Sequence, residues 1–540
     1  MKTTITVFTI FCSLLLISKV NAQSPTIKWW YDVNDASFGQ SAAGDIDGDG
    51  KLEIVFGCYR NDSSVYALNA EDRSLLWKYN THSSGAEGCN DVAPIIYDVD
   101  GDGNLEVILP SSCNPKTFCF DGATGAVKWV CNTRGSDSPP TIADIDGDGV
   151  PEILHGEFGG YVICIKGNNG TPQWEIAVDL DSWIQTAPTI VDLNNDGNLD
   201  FVVATWNNVN ADSNAVYAYR ASNQSLLWKY KVSDVMYHGT AVADLDSDGL
   251  PELIIGCYND TLYCINGDNG TTSWKYSYGS GFYMGAPATI ADLDGDGECE
   301  IVFSCYYKVG ALAGNGTVKW IYSIPGYEQA FRGCALADIN NDLLPDVIFG
   351  TDGGKVIALN GTNGANIWTK NLASHYGNTT FAFDNAPLVS DFDNDDSLEV
   401  FIVGGHAEYP NFQNDFGRAY MITAGKGSGP DWLMFQRDIH RQSSLCEITP
   451  SYVIENNSTN PSVSVFPNPS SNYTVIKFPN SENQTSKLTI YNANGEVVYN
   501  VENIIGTEVK IENKNWDKSI YFFKLQNNEG IVGQGKFIVQ

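Results

Sequence analysis

The chain has 540 residues, 43% of them hydrophobic, and a formal net charge of −34. That length supports more than one domain, and that charge excludes nucleic acid as a partner, since a polyanion would be repelled. No run after Val20 is long and apolar enough to span a bilayer, so no transmembrane segment is expected.

In chain order, Met1–Ala22 reads as a secretory signal peptide, with Lys2 as the positive start, an apolar stretch from Ile5 to Ile17, and Val20-Asn21-Ala22 as a small-residue cleavage site. Twelve cysteines remain beyond it. An even number in an exported chain favours disulfides, with Cys257/Cys264 and Cys113/Cys119 placed to pair across short hairpins; buried free thiols on strands are the other reading.

From Asp45 to Glu399 one acidic pattern recurs eight times, with steps of 53, 46, 48, 52, 48, 46 and 53 residues between first positions. The first loop offers Asp45, Asp47, Asp49 and Glu53, with the carbonyl of Lys51 between them. The second offers Asp98, Asp100, Asp102, Asn104 and Glu106, and the third Asp144, Asp146, Asp148, Val150 and Glu152. The fourth and fifth follow with Asp192, Asn194, Asp196, Asn198 and Asp200, then Asp244, Asp246, Asp248, Leu250 and Glu252. The sixth has Asp292, Asp294, Asp296, Glu298 and Glu300, and the seventh Asp338, Asn340, Asp342, Leu344 and Asp346. The eighth has Asp391, Asp393, Asp395, Ser397 and Glu399. In each, side-chain oxygens stand at positions one, three, five and nine, and a main-chain carbonyl at position seven joins them. Alternate spacing aims three short side chains from one turn at a common centre. Six to eight oxygens at that density suit calcium, a hard cation that accepts irregular geometry. Glycine at position six permits the bend, except where Leu343 and Asp396 replace it.

An EF-hand starts the same way but needs a bidentate Glu at position twelve. Here that position is Phe56, Leu109, His155, Val203, Ile255, Phe303, Phe349 or Ile402, and the flanks are β-like, so an EF-hand is excluded.

A period near fifty residues signals a repeat architecture. Each unit reads as four short strands, the acidic loop lying between the first two and the fourth ending in Trp77, Trp129, Trp174, Trp228, Trp274, Trp320 or Trp368. These tryptophans read as packing between units. The eighth unit lacks such a fourth strand, and the matching segment Thr26-Ile-Lys-Trp-Trp30 precedes the first loop. It is expected to complete the last unit and close a ring. The fold class expected is all-β: an eight-bladed β-propeller over 23–446, with seven blades plus an irregular unit as the alternative, followed by a small β-sandwich.

On these loops and Gly-rich strands the chain resembles the FG-GAP/VCBS-repeat propellers. The resemblance implies calcium at the turns, in several structural ions. Asp431-Trp-Leu-Met-Phe-Gln-Arg-Asp-Ile-His-Arg441 is similar to a closing segment of such propellers and of quinone-dependent ones. After an Asn-rich linker at 447–461, residues 462–540 hold Pro467-Asn-Pro469, Ile490-Tyr-Asn-Ala-Asn-Gly495 and Ile520-Tyr-Phe-Phe-Lys-Leu525 in that order. This order resembles the C-terminal sorting domain of the Bacteroidetes type IX secretion system. It implies contact with that machinery and release or attachment at the outer-membrane surface.

The segments leading into each first strand vary while the strands do not, and variation on a fixed scaffold is where binding specificity usually lies. From these segments Trp183, Tyr237, His238, Phe282, Tyr283, Phe331, Arg332, Phe381, Phe383 and Asp384 are the candidate ligand-binding residues. Aromatic rings would stack on a sugar while polar tips fix its hydroxyls. The same aromatics could instead plug a central channel. Catalytic motifs are absent: there is no G-x-S-x-G and no H-E-x-x-H. The leading expectation is a secreted or surface module that binds a glycan or a protein without catalysis. The alternative is a polysaccharide lyase-like enzyme using His238, Arg332 and Asp384; a quinoprotein dehydrogenase is the third reading.

Overall fold

The computed structural model describes residues 24–82, 88–279, 282–408, 411–427 and 429–446. Farther on it describes 464–466, 470, 472–478, 485–492, 497–514, 516, 518–527 and 530–539. The expected signal peptide, the linker, Pro467–Pro469 and the hairpin turn at 493–496 fall outside them. The chain divides into two compact units, Met1–Ser451 and Tyr452–Gln540.

The first unit is built of eight four-stranded antiparallel sheets, a propeller-like arrangement. Sheet 1 comprises Ala42–Gly44, Glu53–Gly57, Ser64–Asn69 and Leu75–Asn80, in sequential order. Sheets 2 to 7 repeat that order, starting from Ile95–Tyr97, Thr141–Ala143, Thr189–Val191, Ala241–Ala243, Thr289–Ala291 and Ala335–Ala337. Sheet 8 takes three strands from Leu388–Ser390, Leu398–His406 and Phe416–Gly425. Its fourth strand is Ile27–Val33, which pairs antiparallel with Phe416–Gly425. The second and third strands are buried almost throughout, on both faces, because neighbouring sheets pack against one another. Sheets 8 and 1 share an apolar core through Trp29, Phe56, Tyr66, Phe401 and Met421, as the sequential neighbours do.

The repeated tryptophans staple neighbouring sheets. Trp77 Nε1 donates to Gly122 O at 2.6 Å, Trp129 to Gly167 O at 2.7 Å and Trp320 to Gly361 O at 2.7 Å, each crossing to the next sheet. Trp29 makes the same bond from sheet 8 to Ala70 O of sheet 1 at 2.8 Å. The turn under the Trp77 ring needs glycine: Gly125 has φ +67°, and a Cβ there would meet the ring at 2.6 Å, whereas the matching turns of sheets 1 and 4 carry Arg73 and Gln224 at positive φ.

The segment from Gly429 to Cys446 threads along the first strands. Its backbone bonds Asp338, Val389, Ala43, Ile142, Ile190, Val242 and Ile290, reaching seven of the eight sheets. Met434 and Ile439 pack against the core shared by sheets 2 and 3. Phe435 packs on Ala93 and Ala187. Arg441 is wholly buried, with Nε donating to Pro140 O at 2.9 Å and Nη2 to Pro94 O at 3.4 Å.

Disulfides join Cys89 to Cys113 and Cys299 to Cys446, the second tying the threaded segment to the sixth acidic loop. This corrects both expected pairs. Cys257 lies opposite Thr261 and Cys264 opposite Ile254 across their hairpin, so the two thiols are not partners, and both are free and buried. Cys119 is free and buried on its strand, while Cys113 pairs elsewhere.

In the second unit a three-stranded sheet and a four-stranded sheet share one apolar core, including Ile476, Leu488, Ile490, Ile511, Phe523 and Phe537.

Candidate functional site

Two sets of residues carry chemistry: the acidic loops after the first strands, and the segments leading into those strands. In all eight loops the same two bonds shape the turn. One oxygen of the first Asp accepts the position-six N–H, as in Asp45 from Gly50 at 3.1 Å and Asp292 from Gly297 at 3.0 Å. The departures keep it: Leu343 donates to Asp338 at 2.9 Å and Asp396 to Asp391 at 3.0 Å. One oxygen of the position-nine acid accepts the position-two N–H, from Ile46 to Glu53 at 2.9 Å through Phe392 to Glu399 at 3.1 Å. That acid is the first residue of the second strand in seven copies and the second in the eighth, and it is at most 2% exposed in every copy.

Its other oxygen faces the loop. At position nine Glu53 Oε1, Glu152 Oε1 and Asp200 Oδ1 are buried without a hydrogen-bond partner, as are Asp45 Oδ1 and Asp244 Oδ1 at position one and Asp294 Oδ1 and Asp393 Oδ1 at position three. Buried carboxylate oxygens without partners are costly unless a cation meets them. Burial, with neighbouring loop carboxylates adding, pushes the Glu53 and Glu252 carboxyls up to about 7 and Asp346 up to about 8. Carboxylate oxygens of Asp45, Asp47 and Glu53 lie within 4.8 Å of one another, as do those of Asp98, Asp100 and Glu106, and of Asp244, Asp246 and Asp248. Hard oxygen donors so grouped fit calcium, held by the side chains at positions one, three, five and nine.

The second set occupies matching places before each first strand. Seven residues ahead of the eight loops stand Phe38, Asp91, Asp137, Gln185, Tyr237, Gly285, Phe331 and Asp384. Arg332 brings several of them together. Its guanidinium lies 5.1 Å from the centre of the Tyr237 ring and 5.8 Å from that of Phe331, and its Nε is buried without a partner. Burial raises the Asp91, Asp137 and Asp384 carboxyls, and the Arg332 charge pulls each back down. Asp91 accepts from Ser112 Oγ at 2.8 Å and Asp137 from Gln185 Nε2 at 2.9 Å. His238 stands edge-on to Phe331 at 5.8 Å, with Phe435 at 6.2 Å. Burial first, then the Arg332 charge, holds its imidazole well below the usual histidine range.

Half-exposed rings continue from this centre. Tyr283 is edge-on to Phe331 at 5.9 Å and stacked on Tyr258 at 4.8 Å, while Trp206 meets Tyr258 at 5.2 Å and Tyr237 at 5.4 Å. Trp206 and Tyr258 escape a reading confined to the lead-in segments. Their signal is periodic: fourteen residues past the first Asp, five repeats carry Tyr59, Phe158, Trp206, Tyr258 and Tyr306.

Of the other predicted residues, Trp183 and Phe282 adjoin this run, through backbone bonds to Trp206 and through Tyr306 beside Tyr283. Trp183, 46% exposed, packs on Phe158 at 4.9 Å, and Phe282 stacks on Tyr306 at 4.7 Å. Phe381 and Phe383 are buried in the core with Tyr420 and offer no surface to a ligand. Tyr376, from the short helix Leu372–Tyr376, covers Phe381.

Residues 45–109, 144–203, 192–255 and 244–303 match the FG-GAP-like repeat family, and residues 464–540 match the secretion system C-terminal sorting domain. A rhamnogalacturonan endolyase, YesW of Bacillus subtilis (strain 168), is 24% identical over 251 residues, 42% of this chain. The chain spans 38% of that relative's length. Among solved structures, the V. cholerae biofilm matrix protein Bap1 is similar with a TM-score of 0.54 at 15% identity, covering 79% of this chain and 96% of that one. The quinohemoprotein alcohol dehydrogenase of Comamonas testosteroni is similar with a TM-score of 0.53 at 12% identity, covering 76% and 78%. These likenesses show the propeller-like fold. Among the described residues no helix is long and apolar enough to cross a membrane.

Proposed function

We propose that this chain, which carries FG-GAP-like repeats and a secretion-system C-terminal sorting domain, is an exported glycan-binding module. In this reading the eight sheets are blades of a closed ring, calcium holds the acidic turns, and the lead-in segments form the binding face. The sorting domain takes the chain through the type IX machinery to the medium or the outer-membrane surface. The observation that carries the binding reading is Arg332. Its guanidinium lies against two rings, its Nε is unpartnered, an aromatic run from Tyr283 to Trp206 continues from those rings, and its charge acts on the Asp91, Asp137 and Asp384 carboxyls. Rings stack on a sugar's apolar face, and fixed polar groups choose among its hydroxyls. Three carboxylates around one guanidinium favour a neutral sugar over a uronate.

A glycan array with the full chain, followed by calorimetry on the hits, tests this. Binding to neutral glycans that Tyr237→Ala and Arg332→Met both abolish supports it. No binding, or binding untouched by either change, counts against it. The partial likeness to an endolyase favours a second reading, cleavage of an acidic polysaccharide. Unsaturated ends appearing on such a polymer, and lost in Arg332→Met, would replace the first reading with the second.

A further inference from the structure

A β-bulge recurs at one place in every sheet of the first unit. The residue just before the fourth-strand tryptophan is the extra one: Leu76, Lys128, Gln173, Leu227, Ser273, Lys319 and Ile367, with Lys28 in sheet 8. A bulge re-aims the side chain it carries. Where that residue is lysine, it reaches the acidic loop of its own sheet. Lys128 Nζ lies 2.6 Å from Asp100 and 2.7 Å from Glu106 in the second loop. Lys319 Nζ lies 2.6 Å from both Asp294 and Glu300 in the sixth. Lys28 Nζ pairs with Asp393 and lies 3.0 Å from Glu399 in the eighth. Each ammonium thus bridges position three and the buried acid at position nine, two of the oxygens a calcium ion would take.

The first and fifth loops differ. Their bulge residues are Leu76 and Ser273, and among the described residues no lysine or arginine pairs with their position-one, -three, -five or -nine carboxylates; the seventh loop shares that lack, with Ile367 at its bulge but one carboxylate fewer, while Lys166 and Arg220 reach the third and fourth loops from the third strands of their sheets. There Glu53 Oε1, Asp45 Oδ1 and Asp244 Oδ1 are buried without a hydrogen-bond partner and have no ammonium beside them; Asp294 Oδ1 and Asp393 Oδ1 in the sixth and eighth loops also lack a hydrogen-bond partner, but Lys319 and Lys28 pair with the other oxygen of the same carboxylates.

We propose that the eight loops fall into classes: Lys28, Lys128 and Lys319 act as built-in counter-cations that hold the eighth, second and sixth loops together and weaken calcium there, while the first and fifth loops are the tightest calcium sites. The assignment rests on the calcium reading above. Site charge sets calcium affinity, and one extra positive charge inside the oxygen shell opposes the ion directly.

The test is calcium titration of the full chain by equilibrium dialysis, beside melting in EDTA. Wild type takes up calcium in a tight and a weaker class, and Asp45→Asn with Asp244→Asn removes the tight one. Lys128→Met with Lys319→Met tightens two weak sites by about tenfold or more. The same pair melts below wild type in EDTA and recovers in saturating calcium, because the ammonium no longer bridges the carboxylates. The reverse exchange, Leu76→Lys, loosens the first loop. An unchanged isotherm and EDTA melt in the lysine variants, with calcium still bound by wild type, overturns the assignment alone. No calcium uptake by wild type overturns the calcium reading and this assignment with it.

Discussion

Trp29, close to the start of the chain, donates its indole N–H to the carbonyl of Ala70 at 2.8 Å and so joins the eighth sheet to the first. Trp77, Trp129 and Trp320 repeat the bond between consecutive sheets. If the ring is closed here, loss of Trp29 unlatches it. Trp29→Phe should cost about 1 kcal/mol, the net worth of one hydrogen bond, and Trp29→Ala about 3–5 kcal/mol for a lost buried ring. Urea unfolding measures both. A Trp29→Ala variant as stable as wild type would deny the latch.

Calcium removal should loosen the same unit. Each ion would offset two of the four charges that crowd most loops, so EDTA leaves like carboxylates facing one another. The expected result is a lower melting temperature and faster proteolysis within residues 45–400, both reversed by added calcium. Equal melting with and without EDTA would contradict this.

Much of this was legible in the amino-acid sequence because loop chemistry demands fixed spacing. Asp, Asp, Asp and Glu at positions one, three, five and nine can be read without a fold. The missing fourth strand of the last unit pointed to Thr26–Trp30, and Ile27–Val33 is the strand that completes sheet 8. The disulfides were not legible: Cys299 and Cys446 are 147 residues apart, and only the threaded segment brings them together. Phe381 and Phe383 were misplaced because a lead-in segment looks the same whether its rings face out or, as here, pack under Tyr376 and against Tyr420. Trp206 and Tyr258 lie beyond the second strands, and only their constant distance from the loops marks them.

His155 makes stability pH-dependent on the acid side. It is wholly buried, with Thr117 Oγ1 at 2.8 Å and Gly156 O at 2.9 Å, and burial lowers its pKa from 6.5 to about 4. The unfolded chain therefore binds the proton first, and stability present above pH 6.5 is lost as pH falls towards 4. The loss amounts to at most about 3 kcal/mol. His155→Gln should flatten the unfolding free energy across that window; an unchanged slope would assign the acid loss elsewhere.

The disulfide from Cys299 to Cys446 anchors the end of the segment that lines the first strands. Cys299→Ser with Cys446→Ser should speed amide exchange at Leu445, whose N–H donates to Ile290 O, and at Ile290, whose N–H donates to Ser443 O, while leaving Trp432 protected through Val389. Uniform exchange along the segment would show that the disulfide holds nothing locally.

Diffraction from crystals grown in calcium, collected where calcium scatters anomalously, tests the central claim most directly. The account predicts anomalous density beside Asp45, Asp47 and Glu53 and beside Asp244, Asp246 and Asp248, with weaker density or an ammonium where Lys128 and Lys319 reach in. Eight turns without density at millimolar calcium would contradict it.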